Sequence, residues 1–151
     1  MDENKLVEGL QAIVTQLSDN SNLHFLQAVI FKDQGFDKLS EKYQGHANEE
    51  RDFVGQFAAR ILDLGHEVKL EDTKAMPLYK DPVDFVKYDL QLSKEGLAVL
   101  TKLVTASIED HVTYDLLKDY YKDEEEDLLW SEKEIDLIEK IGKQNWLLKQ
   151  I

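Results

Sequence analysis

Apolar residues recur at helical spacing through four long stretches of the chain. In about residues 3–34, Leu6, Leu10, Ile13, Val14 and Leu17 share a face, which resumes at Leu23, Leu26, Ile30 and Phe31. Between these sets stand five polar residues, Ser18-Asp19-Asn20-Ser21-Asn22. Ser, Asp and Asn prefer caps, so this run predicts either a kink or the start of a new helix. A second helix is predicted over 36–64, with Phe53, Phe57, Ile61 and Leu64 on one face and Gly65 as its stop. Residues 66–80 carry no clear period and hold Pro77, which predicts a crossover along a bundle. A third helix opens at Asp81-Pro82 and continues through Phe85, Val86, Leu90, Leu97 and Leu100 to about Ser107. A fourth is predicted over 110–140, closed by Gly142, and residues 144–151 have room for one or two further turns. The pattern predicts an all-α, up-down four-helix bundle with a long connection between helices two and three and a short C-terminal helical segment. One domain over 1–151 accounts for the whole pattern.

Composition narrows the function. The chain has 151 residues, 18 Lys and Arg against 31 Asp and Glu, and a net charge of −13. Such a balance argues against binding nucleic acid, which needs clustered cations for phosphate, and against docking on an anionic membrane. No cysteine is present. Disulfide scaffolds, cysteine-held zinc, iron–sulfur clusters and thiol nucleophiles are therefore excluded, and a reducing, cytoplasmic setting fits. The acidic start Met1-Asp2-Glu3-Asn4-Lys5 leads into no apolar segment of a signal peptide. No stretch approaches the ~20 apolar residues of a membrane span. Nucleophile-elbow, phosphate-loop and dinucleotide glycine motifs are all missing from the sequence.

The run from Asp123 to Trp146, with Trp130 and the segment Leu137-Ile138-Glu139-Lys140-Ile141-Gly142-Lys143-Gln144-Asn145, resembles the last long helix and terminal segment of the bacterioferritins. Asn22–Gly35, Arg60–Leu64, Asp89-Leu90 and Gly96 are similar to parts of that family's first three helices. The resemblance spans nearly the whole chain. It implies a ferritin-like fold, iron binding and storage, a homo-oligomer (dimer or cage), and a di-iron centre that oxidises Fe(II). That centre takes one Glu from each of two helices and a Glu-x-x-His pair from each of the other two.

The ligand pattern implied by the resemblance is mostly broken. Leu17 stands at the first-helix Glu position, Phe53 at the second-helix His, Ser93 at the third-helix Glu and Asp127 at the fourth-helix His. Only Glu50 and Glu124 match, with Asp127 as a substitute. Glu50, Glu124 and Asp127 are thus one candidate site for iron or another divalent ion, since oxygen donors suit several metals. Without a metal, the same three acids would serve as salt-bridge partners or a hydrogen-bonded remnant. A displaced site is the second candidate. With helices one and two antiparallel, His24 falls near His46 and Glu50, and the latter two share a face at i, i+4. His24, His46 and Glu50 offer two nitrogens and an oxygen to one ion. The alternative places His24 at a family core position and His46 at the surface. Arg51 stands where haem-binding relatives carry Met, so haem is not expected. Gly55 and Ala59 stand at the second-helix Asp and Glu of the DNA-wrapping Dps branch, so that role is not expected either. His66 and His111 are expected to be exposed or capping, and Glu125 and Glu126 to face solvent or a neighbouring subunit. The sequence therefore predicts an iron-binding or storage protein with weak or absent ferroxidase activity. The alternative is a metal-free structural or accessory subunit.

Overall fold

The computed structural model describes residues 2–151. Five helices follow one another: α1 (Glu3–Asp33), α2 (Asp37–Asp63), α3 (Pro82–Ala106), α4 (His111–Ile141) and α5 (Lys143–Leu148). No strand occurs among the described residues. The four long helices form the all-α bundle, α1 lying along α2 and α3 along α4. Local chemistry sets their ends. Asp81 caps α3 by accepting from the Val83 amide at 2.8 Å, with Pro82 in the first turn, where its missing N–H costs nothing. Asp110 caps α4 by accepting from the Thr113 amide at 3.2 Å. After α1, Gly35 takes φ +86°, and the Phe36 amide donates back to the Phe31 carbonyl at 2.9 Å. Gly65 repeats this arrangement after α2, its following amide donating from His66 to Ile61 at 3.1 Å.

The polar run 18–22 does not interrupt α1. Each of its hydroxyls finds a partner that leaves the helix ladder intact. Ser18 donates to the Val14 carbonyl one turn back at 2.7 Å, and Ser21 donates across to the Ala47 carbonyl of α2 at 3.0 Å. Asp19 accepts from Thr73 in the crossover.

Residues 64–81 form that crossover, strapped to α1 in the same direction. Gln11 exchanges hydrogen bonds with the backbone of Lys69. Thr15 accepts from the Glu71 amide at 3.0 Å. Buried Gln27 accepts from the Tyr79 amide at 3.1 Å and donates to its carbonyl at 2.6 Å. Gln34 donates to the Lys80 carbonyl at 2.7 Å. Polar residues on the α1 flank thus satisfy backbone groups of a segment with no ladder of its own.

Two apolar clusters fill the interior. One gathers Leu6, Leu10, Val14 and Leu17 with Phe57, Ile61, Leu100, Leu117 and Tyr120. The other gathers Leu23, Phe31, Leu39, Tyr43, Phe85, Ile138 and Trp146. Trp146 of α5 is fully buried there, and its indole N–H donates to Glu134 at 2.7 Å. No helix is long and apolar enough to cross a membrane.

Candidate metal centre

A layer of ionisable side chains separates the two apolar clusters. His24 comes from α1, His46 and Glu50 from α2, and Asp89 from α3. All four are buried, with exposures of 6%, 3%, 2% and 3% respectively. A charged or polar group at such depth needs partners, and His24 has two. Its Nδ1 meets Glu50 Oε1, and its Nε2 lies 2.7 Å from Asp89 Oδ1. Tyr43 stacks on the His24 ring with centroids 5.7 Å apart.

His46 is different. The alternative that placed it at the surface is corrected by its burial among rings, as the displaced-site reading requires. Its imidazole stands edge-on to His24 at 5.6 Å, to Tyr43 at 5.4 Å and to Trp130 at 5.8 Å. Its Nε2 is 3.3 Å from Asp127 Oδ1, but off the geometry of a hydrogen bond. Both ring nitrogens are buried without a hydrogen-bond partner among the described residues.

The electrostatics follow from these neighbours. Burial works against the charged form of His24, but the Asp89 and Glu50 carboxylates outweigh it and hold its pKa well above the ordinary range. Burial, helped by the His24 charge, pushes His46 down to about 3, so it is a neutral base at physiological pH. Burial lifts Glu50 despite the opposing pull of His24. Across from it, burial and then the Glu50 and Asp127 charges raise Glu124 well above the usual carboxylate range. Burial, then Asp123 and Glu49, lift Asp127 to about 8, and burial with the Glu49 contact lifts Asp123 to about 7.

Two groups of donors come together with ligand atoms within 4.8 Å of one another: His24, His46 and Asp89, and Glu49, Asp123 and Asp127. Glu50, Glu124 and Asp127 feel one another's charge but are not such a group, and Glu50 is engaged by His24. Asp89 is the member that sequence reasoning missed as a site residue. The signal existed: Asp89 precedes Ser93 by one helical turn, as His46 precedes Glu50.

The di-iron pattern does not fit this interior. Leu17, 1% exposed, belongs to the apolar cluster with Phe57 and Tyr120, and Phe53 packs against that cluster. Apolar carbon thus stands at two of the positions that the resemblance assigns to ligands of an iron pair. Ser93, at a third such place, lines a cavity of about 670 Å³ that also reaches His24, His46, Glu50, Asp89 and Glu124. Arg51, Gly55, Ala59, His111, Glu125 and Glu126 are exposed, while His66 is half-buried after its glycine stop.

Comparison with known proteins matches this architecture. A ferritin-like domain family model matches residues 7–141. A bacterial ferritin of Neisseria meningitidis serogroup B is 30% identical over 155 aligned residues, covering 96% of this chain and all of that protein. A bacterial ferritin of Synechocystis is 30% identical over 131 residues, covering 85% of this chain and 84% of its own length. One from Pseudomonas aeruginosa is 27% identical over 150 residues, covering 97% of each. With its strapped four-helix bundle and these relatives, the chain belongs to the ferritin-like family and is akin to the bacterial ferritins.

Proposed function

We propose that this chain is a bacterioferritin-type iron-binding and storage protein, one ferritin-like unit over 1–151, whose paired-iron oxidation is weak or lost. The observation that carries the reading is the apolar plug: Leu17 is buried at a ligand position and Phe53 packs at another. Paired irons need carboxylates to bridge and balance them, and neither side chain supplies a donor. Glu50, Glu124 and Asp127 remain as carboxylates that attract a cation, because burial and mutual repulsion oppose their ionisation in its absence. The acidic surface of a −13 chain favours cation uptake. Exposed Phe25, Leu26 and Val29 on α1 and Leu78 on the crossover favour assembly with further copies. Aerobic addition of Fe(II) tests the oxidation reading. Oxidation should be slow and insensitive to Glu50→Ala. Fast, stoichiometric oxidation abolished by Glu50→Ala would overturn it.

The same plug also favours a second reading, an accessory subunit that keeps the bundle and carries no metal. Well-packed hydrophobic residues in place of charges restore core density where ligands were lost. Metal analysis with the mass in solution separates the two. Metal in a large assembly supports storage, and a metal-free dimer supports the accessory role.

A further inference from the structure

Four observations converge on the polar layer one to two turns along the bundle from the plug. First, His24, His46 and Asp89 come from three different helices, are each more than nine-tenths buried, and bring their ligand atoms within 4.8 Å of one another. Second, both ring nitrogens of His46 are buried with no hydrogen-bond partner among the described residues. A buried imidazole left so is costly, and a cation is the partner that the site lacks. Third, Glu50 holds His24 through Nδ1, while Nε2 is hydrogen-bonded to Asp89, and the proton between them is the one that an ion would displace. A carboxylate behind one ring nitrogen, fixing the other for a metal, is the usual support of a ligating histidine. Fourth, the cavity walled by Gly9, Ile13, Leu17, Gly96 and Val99 on α1 and α3 reaches this layer. An ion therefore has an entry path.

We propose that His24, His46 and Asp89 bind a single divalent first-row transition-metal ion, with Glu50 as the residue that positions His24. Two imidazoles and a carboxylate suit Zn²⁺, Co²⁺, Fe²⁺ or Ni²⁺ better than Ca²⁺ or Mg²⁺, which prefer oxygen. The cavity that His24, His46 and Asp89 also line would leave room for water on the ion. Glu49, Asp123 and Asp127 form the rival cluster, but Glu49 is exposed. One oxygen of Asp123 is buried without a hydrogen-bond partner there and Asp127 lies 3.3 Å from His46, so this cluster is the competing outcome that the Glu49 variant tests.

Titration of the chelator-treated full chain with Co²⁺, followed by visible absorption, and with Zn²⁺ by calorimetry tests the site. One equivalent should bind, with Co²⁺ bands in the visible. His46→Ala and Asp89→Asn should each weaken binding tenfold or more, and Glu50→Gln about 10- to 100-fold. His46→Phe, which keeps a ring in the aromatic cage, guards against a merely unfolded variant. With unchanged helical circular dichroism it should lose the ion as well. Failure to bind one equivalent, binding unaltered by His46→Phe and Asp89→Asn, or binding that follows Glu49→Gln instead would each overturn the proposal. The result is independent of iron oxidation. A chain inert toward Fe(II) can hold this ion, and a chain that takes up iron elsewhere can fail here.

Discussion

Two neighbouring layers of one bundle have been built by opposite means. Around Leu17 and Phe53 the interior is apolar, and side chains from α1, α2, α3 and α4 interdigitate. One turn or two away, His24, His46, Glu50 and Asp89 form a polar layer at equal depth. The apolar layer is held by contacts that any hydrophobic group of similar volume can supply. The polar layer depends on particular atoms meeting, and each member left alone would be an uncompensated buried group. An apolar layer can thus be repacked with other hydrophobic groups, while the polar layer must remain paired or bind something.

The largest expected effect breaks the polar layer. Asp89→Ala removes one of the two carboxylates on a buried imidazolium and should cost about 4 kcal/mol in urea unfolding of the metal-free protein. The triple variant His24→Phe, Glu50→Leu, Asp89→Leu should recover most of that loss, because it removes the imidazolium together with both carboxylates that face it. If the triple variant is as unstable as the single one, the two layers are not interchangeable as packing. Leu17→Ala comes next. It enlarges the cavity that Leu17 already lines and should cost about 3 kcal/mol by the same measurement.

Smaller effects sharpen the contrast away from the two layers. Gln27→Leu strands the Tyr79 amide and carbonyl and should cost about 2 kcal/mol. Hydrogen exchange at Tyr79 should accelerate before that of α1. The smallest effect lies at the far end, where burial of Asp110 is outweighed by hydrogen bonds from Thr113 and the Arg60 charge, so its pKa is held low. A carboxyl lowered by folding adds stability above its unfolded value near 4, and this is lost as pH falls through the folded value. Asp110→Asn keeps a capping oxygen but loses the charge paired with Arg60, and should cost about 0.5 kcal/mol at pH 7 and less near pH 3, measured as the urea midpoint.

The helices were legible because their signals are local. Asp81-Pro82, Gly35, Gly65 and Gly142 mark ends by backbone chemistry that needs no tertiary partner. The run 18–22 was not legible, because its effect on α1 depends on Ala47 and Thr73 being near enough to take Ser21 and Asp19. That Leu17, Phe53 and Ser93 supply neither carboxylate nor imidazole could be read from residue type alone. The polar layer was half legible. His24, His46 and Glu50 follow from antiparallel register, but Asp89 sits on α3, whose register against α1 no local pattern states.

By itself the sequence determined the helix count, the crossover, the acidic surface and the absence of thiol chemistry, since these follow from periodicity, caps and composition. Only the tertiary structure decided that His46 is buried without a hydrogen-bond partner, that Glu50 and Asp89 flank one imidazole, and that a cavity reaches them. The reason is that such relations depend on distances between helices. Those distances are set by how the two apolar clusters pack, summed over many contacts, and no short stretch of the chain carries that sum.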